Sequence, residues 1–578
     1  MPMTSRLCVA ALLSCCLAWC LTGCSPSSGQ GSSTLPDTVV YVDPTAPAGG
    51  TGTQTRPFRS WASVTFVTGG TYQQRRGTVA YEQLTIGTDD VTLGSYGSGP
   101  APIIDGSSMQ TGWVAAGLSN AAIYRCTPVM AVGEHLGHLS VDGVVPIFLT
   151  WNSDATTTFT GASAGSFAIS PTGTLYCWTS TSDDPDFHLT RISRRLYGIT
   201  ATGVTDLTIN DLHIRHASLH GIHALNSSEV HIADTEVEDC GGALVLVSPL
   251  TRAGNGIEFG GACRDSSVRR CTISDIFDSG ISPQIYQGTV TARAFTFANN
   301  QIARCGFAGI EVAVLSNGGA TTGSQIESVS ISDTTITSCG YGWSRRRYGQ
   351  EGRGIKAAAD TGAGSLDAIT ISTCTINNCA GEGIYLGGDC GSVQVSTSAL
   401  NNNAQDGLAW VCPGTSAQLD CRSSRFAGNG GSTRFGLSVA GGSAAVRHNS
   451  FASNGLANCA ILSVDGSLTV LNNTFNSTAA QLYSAIPLTG NAINNNAYRE
   501  HGGNIINNNG TLYISVAGFR ASTGLETQGV GAADLNLNDL YPQAGSPCIG
   551  AGSITPVSTD FNGLPYLSPP SIGAHANT

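Results

Sequence analysis

The chain has 578 residues and a net charge of −12, from 27 basic and 39 acidic side chains; only 11% of residues are charged. No basic stripe accompanies that balance, which argues against nucleic acid as a partner. With 73 glycines and recurrent short runs of β-branched residues, the composition describes an all-β, turn-rich fold, not a disordered chain. Of the 27 basic residues one is lysine, Lys356.

At the N-terminus Arg6 precedes an apolar run over 7–21, and LTGC follows at 21–24. That run is too short to span a bilayer and reads as a secretory signal. The LTGC ending resembles the bacterial lipoprotein signal, which implies cleavage before Cys24 and acylation of its thiol; an ordinary signal peptide is the alternative. Residues 25–36 (SPSSGQGSSTLP) read as a flexible tether. The chain is therefore expected to be exported and held by this lipid alone at a bacterial membrane, the outer membrane or cell surface. Disulfides are permitted there, with Cys126/Cys177 and Cys390/Cys412 as the candidate pairs.

Residues 37–125 read as an N-terminal cap with first coils, and 126–195 as an inserted β module built on "VDGVVPIFLTW", "GSFAISPTGTLYCW" and "DDPDFHLTRISRR". A repeat then governs 196–478. Glycine followed by Ile or Leu recurs at Gly221, Gly256, Gly280, Gly309, Gly354, Gly383, Gly407 and Gly436, with spacings that settle into 24 and 29. Each is preceded by an apolar-x-apolar run, as in "VSISDTTITSCG" and "ITISTCTINNCAG". Period-two alternation in three short strands every two dozen residues predicts the coils of a parallel β-solenoid. The residue three after the last apolar position forms its own column: Cys240, Ile276, Cys305, Cys339, Cys379, Asn403, Asn429 and Asn454. Stacked coils put like residues at one inward turn in this way, and asparagine amides there can bond each other. From 479 to 578 the pattern loosens into C-terminal coils and a cap.

The chain resembles the right-handed parallel β-helix proteins of the pectate-lyase-like superfamily. The resemblance rests on the repeat, on the opening "YVDPTAPAGGTGTQTRPFRSWASV", on "GGTYQQ…LTIGTDDVTLGSYGSGPAPIIDGSS" and on the closing "GSPCIGAGSITPVSTDFNGLPY…SIGAHA". It implies a right-handed parallel β-helix with an N-terminal cap, a small inserted β module and a C-terminal cap. It does not fix a reaction, since members include lyases, hydrolases, epimerases and non-catalytic surface proteins.

In each Gly-Ile strand the Ile faces inward and the next residue outward. The outward column reads His223, Glu258, Ser282, Glu311, Lys356, Tyr385, Ala409, Ser438, ionisable in its upper half and bland below. Extra residues enter before this strand at 243–255 and 341–353, carrying Arg252, Trp343, Arg345, Arg346, Arg347, Tyr348 and Arg353. Long loops on a rigid scaffold concentrate function. Arginine clamps and aromatic platforms suit an acidic sugar chain, with Tyr385 added from the column; a merely solvated loop is the bland alternative. His213, His216, His220, His223 and His231 crowd one segment as a surface cluster or a weak metal set. Asp275 and Asp278 cap the turn before Ser282, hold Ca2+ or act as acids.

Three functions follow. In β-elimination on a uronate polymer, Lys356 and the loop arginines neutralise the carboxylate and His223 is the base. The resemblance supports this, because β-helix lyases use lysine or arginine so, frequently beside Ca2+; Glu311 next to Lys356 favours a clamp over a base. In inverting hydrolysis Glu258 and Glu311 are the two carboxyls, although the Asn-Thr-Asp, Asp-Asp and Gly-His-Gly motifs of β-helix polygalacturonases are missing. In a non-catalytic, lipid-anchored binding or structural protein, Lys356–Glu311 is a surface ion pair. The leading expectation is a polysaccharide lyase, monomeric, acting on an acidic polysaccharide.

Overall fold

The computed structural model describes residues 39–246, 251–316, 323–344, 352–360 and 362–576. The signal, the tether and Cys24 lie outside them, as do Arg345, Arg346, Arg347 and Tyr348. No helix among the described residues is long and apolar enough to cross a membrane. The chain forms two compact units. One comprises Met1–Val290, Leu315–Thr321 and Gly342–Arg345; the other comprises Thr291–Val314, Thr322–Tyr341 and Arg346–Thr578.

Both units are right-handed parallel β-helix, each turn of chain adding one strand to each of three sheets. In the first unit the first sheet stacks Val39–Val42, Gly70–Arg75, Val91–Tyr96, Thr205–Asn210, Ser228–Ala233 and Arg264–Arg269. The second stacks Leu84–Ile86, Tyr197–Thr202, His220–Leu225, Ile257–Gly260 and Ser279–Ile285. The third runs Val79–Ala80, Ile103–Asp105, His213–Arg215, Glu236–Glu238 and Thr272–Ser274. The second unit repeats the arrangement; its second sheet includes Ala308–Val314, Arg353–Ala359, Ile384–Gly388, Leu408–Val411 and Phe435–Ala440.

The recurring glycine exists because neighbouring coils leave no room for a Cβ. One placed on Gly354 would lie 2.5 Å from the Gly383 carbonyl oxygen, and one on Gly383 would lie 2.6 Å from that of Gly407. Gly221 and Gly256 in the first unit meet Gly256 and Gly280 in the same way, at 2.7 and 2.6 Å. Behind each glycine an aliphatic residue is sealed into the interior: Ile222, Ile257, Ile281, Ile310, Ile355, Ile384, Leu408 and Leu437 are all at most 1% exposed.

Each coil is bent by single residues in the left-handed region, where Asp and Asn pay least. Asp211 and Asp234 hold one such corner in the first unit, and Asp333, Asn472 and Asn495 in the second. His216, Asp239 and Asp275 hold the other corner in the first unit, and Ser338, Asn378 and Asn402 in the second. Asp275 is thus a corner residue (φ 55°), and Asp278 is buried with its amide on Gly254. Neither joins the single group of three ligating side chains found among the described residues.

The asparagine column forms as a ladder. Asn403 Nδ2 donates to Asn429 Oδ1 (2.9 Å), Asn429 to Asn454 (3.0 Å) and Asn454 to Asn458 (3.1 Å). A second ladder, not anticipated, runs from Asn449 through Asn473 to Asn496 and ends on Glu526 (3.1, 2.9 and 2.7 Å). Beside it Phe426, Phe451, Phe475 and Tyr498 stack at 4.8–5.2 Å, and the Tyr498 hydroxyl donates to the same Glu526 (2.8 Å). All 14 described cysteines are buried thiols with no disulfide among them, so neither expected bridge is present. Cys126 and Cys177 lie on paired strands but out of register, facing Leu175 and Tyr124 respectively.

The inserted module is antiparallel, with one exception (Ile147–Phe148 beside Ser166–Ile169), and it draws on strands from Ser107–Met109 onward, earlier than the expected 126. Its core, including Trp113, Leu139, Phe167 and Ile192, also contains Trp343 and Phe277. Trp343 is therefore not a sugar platform. It is 4% exposed, and its indole N–H donates to the Asp275 carbonyl (2.7 Å). Arg252 is likewise 5% exposed, donating to the Gly242 carbonyl (2.7 Å) above the Phe148 ring, and is no loop clamp.

Gly383→Ala is expected to cost about 1–3 kcal/mol in denaturant unfolding through forced overpacking, whereas Gly87→Ala, whose Cβ would meet nothing within 4 Å, stays near neutral. Burial pushes the Glu526 carboxyl up to about 7 from 4.5. Its stabilisation is complete below the unfolded value and is lost as pH rises from about 4.5 through 7, about 3 kcal/mol in all. Unfolding free energies at pH 5 and pH 8 should differ by that order in the native chain, and Glu526→Gln should remove this part of the pH dependence.

Candidate functional site

The outer face of the second sheet carries the expected column in register. In the first unit His223 pairs with Glu258 and Glu258 with Ser282. In the second, Glu311 pairs with Lys356, Lys356 with Tyr385, Tyr385 with Ala409 and Ala409 with Ser438. Exposure differs from expectation. His223, Glu258, Glu311 and Lys356 are 5%, 3%, 4% and 4% exposed, so none stands open to solvent as a surface residue would.

The first-unit stretch is a stacked wall. The rings of Tyr197, His223 and His220 lie nearly parallel, at 4.7 Å for Tyr197–His223 and 5.3 Å for His223–His220. The Asn255 amide N–H donates to His220 Nδ1 (3.0 Å), so neutral His220 carries its proton on Nε2, which faces Glu258 at 3.1 Å. Asn255 Nδ2 also donates to Glu258 (2.8 Å), and the Tyr286 phenol hydrogen-bonds the same carboxylate. Burial pushes His220 down to about 3 and His223 to about 4, so both are neutral at pH 7. His223 is a weaker base than the elimination reading asks for.

The five histidines do not form one cluster. His213 stands on the third sheet, His216 at a corner against Asp105, His220 and His223 on the second sheet, and His231 on the first beside Ser267.

In the second unit the wall is a series of matched charges. Lys356 Nζ lies 2.8 Å from Glu311 Oε1 and 4.5 Å above the Phe307 ring, with both side chains 5% exposed. This is a buried pair, and the surface-pair reading is corrected. One coil on, Arg353 Nε bonds Glu382 Oε2 at 2.7 Å while its guanidinium lies 4.5 Å over the Tyr385 ring. Arg353, Glu382 and Tyr385 are partly exposed. On the next coil Asp406 accepts from the Phe435 amide (2.9 Å) and the Ser438 hydroxyl (2.5 Å). Burial raises its carboxyl above the ordinary value, and the neighbouring Glu382 charge adds to the rise.

Glu382 and Asp406 were not singled out from sequence, yet a signal was available. Each precedes the recurring glycine, as do His220 and Asn255 in the first unit and Arg353 in the second, and this second column shares the wall with the first. Reading one residue before each glycine, as well as two after it, would have found them.

Residues 175–343 match the family described as "Right handed beta helix region". No curated protein matches the chain. Among solved structures, "The complex structure of XylC with xylose" is 15% identical with a TM-score of 0.52, over 94% of this chain and 98% of that one. Pectate lyase Pel9A is 12% identical (TM-score 0.39; 94% and 97%), and a GH136 lacto-N-biosidase from Eubacterium ramulus is 12% identical (TM-score 0.39; 77% and 68%). The first shares the fold; the other two superpose too loosely to carry an argument. The fold is a right-handed parallel β-helix.

Breaking a buried ion pair from one side strands the other charge, typically at about 3–5 kcal/mol. Lys356→Met is expected to cost that much in denaturant unfolding, and adding Glu311→Gln should recover a large part of it. A loss below about 1 kcal/mol for the single variant would instead mark a solvated pair.

Proposed function

We propose that this chain is a carbohydrate-active β-helix protein whose sugar wall is the outer face of the second sheet in the second unit. There Glu382 and Asp406 act as an acid–base pair in glycoside hydrolysis. The observation that carries this reading is the opposite environment of the two carboxyls. Glu382 is ion-paired with Arg353 at 2.7 Å, while burial raises the Asp406 carboxyl above its ordinary value. Carboxyls in such contrasting surroundings can divide the base and acid roles. They occupy equivalent turns of successive coils, whose backbones lie about 4.8 Å apart. Tyr385, partly exposed beside them, supplies a ring for a sugar to stack on.

β-Elimination on an acidic polymer is the second reading, favoured by the Arg345-Arg346-Arg347 run that precedes this wall in sequence. Against it, Lys356 and Arg353 already have carboxylate partners of their own at 2.8 and 2.7 Å, so neither brings an unmatched charge for a uronate. The LTGC sequence at 21–24 supports export and lipid attachment at Cys24.

The purified chain, assayed on neutral and uronate polysaccharides with and without Ca2+, should release reducing ends without the absorbance of an unsaturated uronate. Asp406→Asn and Glu382→Gln should each lower kcat by about 10²–10⁴-fold. Unsaturated product would establish elimination in place of hydrolysis, and binding without either product would leave a lectin-like wall. Radiolabelled palmitate should enter the native chain in bacteria and not the Cys24→Ser variant.

A further inference from the structure

We infer that the outer face of the third sheet in the first unit carries a site for a divalent transition ion, formed by His213, Glu236 and Glu238. His213 is directly opposite Glu236 on the next strand, and Glu238, two residues on, emerges from the same face. The imidazole lies between the carboxylates, Nε2 at 2.9 Å from Glu238 Oε1 and Nδ1 at 3.6 Å from Glu236 Oε2. One ligand atom from each residue falls within 4.8 Å of the others, the only such trio among the described residues. Two donors about 2.1 Å from a tetrahedral ion stand about 3.4 Å apart, so the 2.9 Å contact opens by a few tenths of an ångström as the ion replaces the shared proton.

Three features separate this site from a surface ion pair. The backbones are rungs of a rigid parallel sheet, so the three groups are gathered without ordering a loop. The side chains are 13%, 45% and 28% exposed, leaving water access for the remaining coordination positions. Arg215, opposite Glu238 on the neighbouring strand, has its guanidinium bonded to Asp105 at 2.9 Å. An imidazole with two carboxylates suits Zn2+ or Mn2+, whereas Ca2+ prefers oxygen ligands throughout. The ion would tie two successive coils together.

The test is calorimetric titration of the chelator-stripped full chain with ZnCl2, MnCl2 and CaCl2, together with thermal unfolding. One equivalent of Zn2+ should bind, raise the unfolding midpoint and resist millimolar Ca2+. His213→Ala and the double variant Glu236→Gln/Glu238→Gln should each weaken Zn2+ by at least about tenfold. The glutamine pair keeps shape and serves as the folding control, checked by an unchanged metal-free midpoint. Absence of Zn2+ binding, binding undiminished in the double variant, or equal affinity for Ca2+ would each overturn the assignment.

Discussion

Everything in this molecule depends on the close approach of one glycine to the carbonyl of the next. The distances that a Cβ would meet at Gly354, Gly383 and Gly407, 2.4–2.6 Å to the following glycine oxygen, hold the second sheet to a single vertical register. A slip of one residue would turn Ile355 outward and Lys356 into the interior, so hydrophobic burial enforces what the glycines permit. With that register fixed, a residue's distance from the nearest glycine determines its column, and the column determines its neighbours.

This is why the architecture and the pairings Glu311–Lys356 and His223–Glu258 were legible in the chain. They follow from counting. What counting does not give is the environment on the outer side. Lys356 was expected at the surface and is enclosed between Glu311 and Phe307. Trp343 was expected on a flap and is built into the core of the inserted module, where its indole N–H satisfies Asp275. Both depend on segments far apart in sequence, and no local period records them. Glu382 and Asp406 were missed for a different reason. They sit at the turn, where strict alternation breaks, so a reading confined to one column passed over them.

The polar wall of the second sheet shows how a solenoid can enclose charge on its outside. Lys356 and Arg353 each have a carboxylate on an adjacent coil. Burial of such groups is tolerable only when they are matched and hydrogen-bonded. Asp406, bonded to an amide and a hydroxyl, is the member whose carboxyl burial raises above its ordinary value.

The asparagine ladders have a consequence of their own. From Asn449 to Asn496 every side-chain amide donates in the same sense along the coil axis, so the small dipoles align and their hydrogen bonds polarise one another. The stack is consequently a vector, with a terminus rich in partial positive charge. Glu526 closes that terminus with an anion or with its acid, much as an acidic residue caps the first turn of a helix. The solenoid therefore has a chemical direction as well as a handedness, and its two ends are not interchangeable as places to stop adding coils.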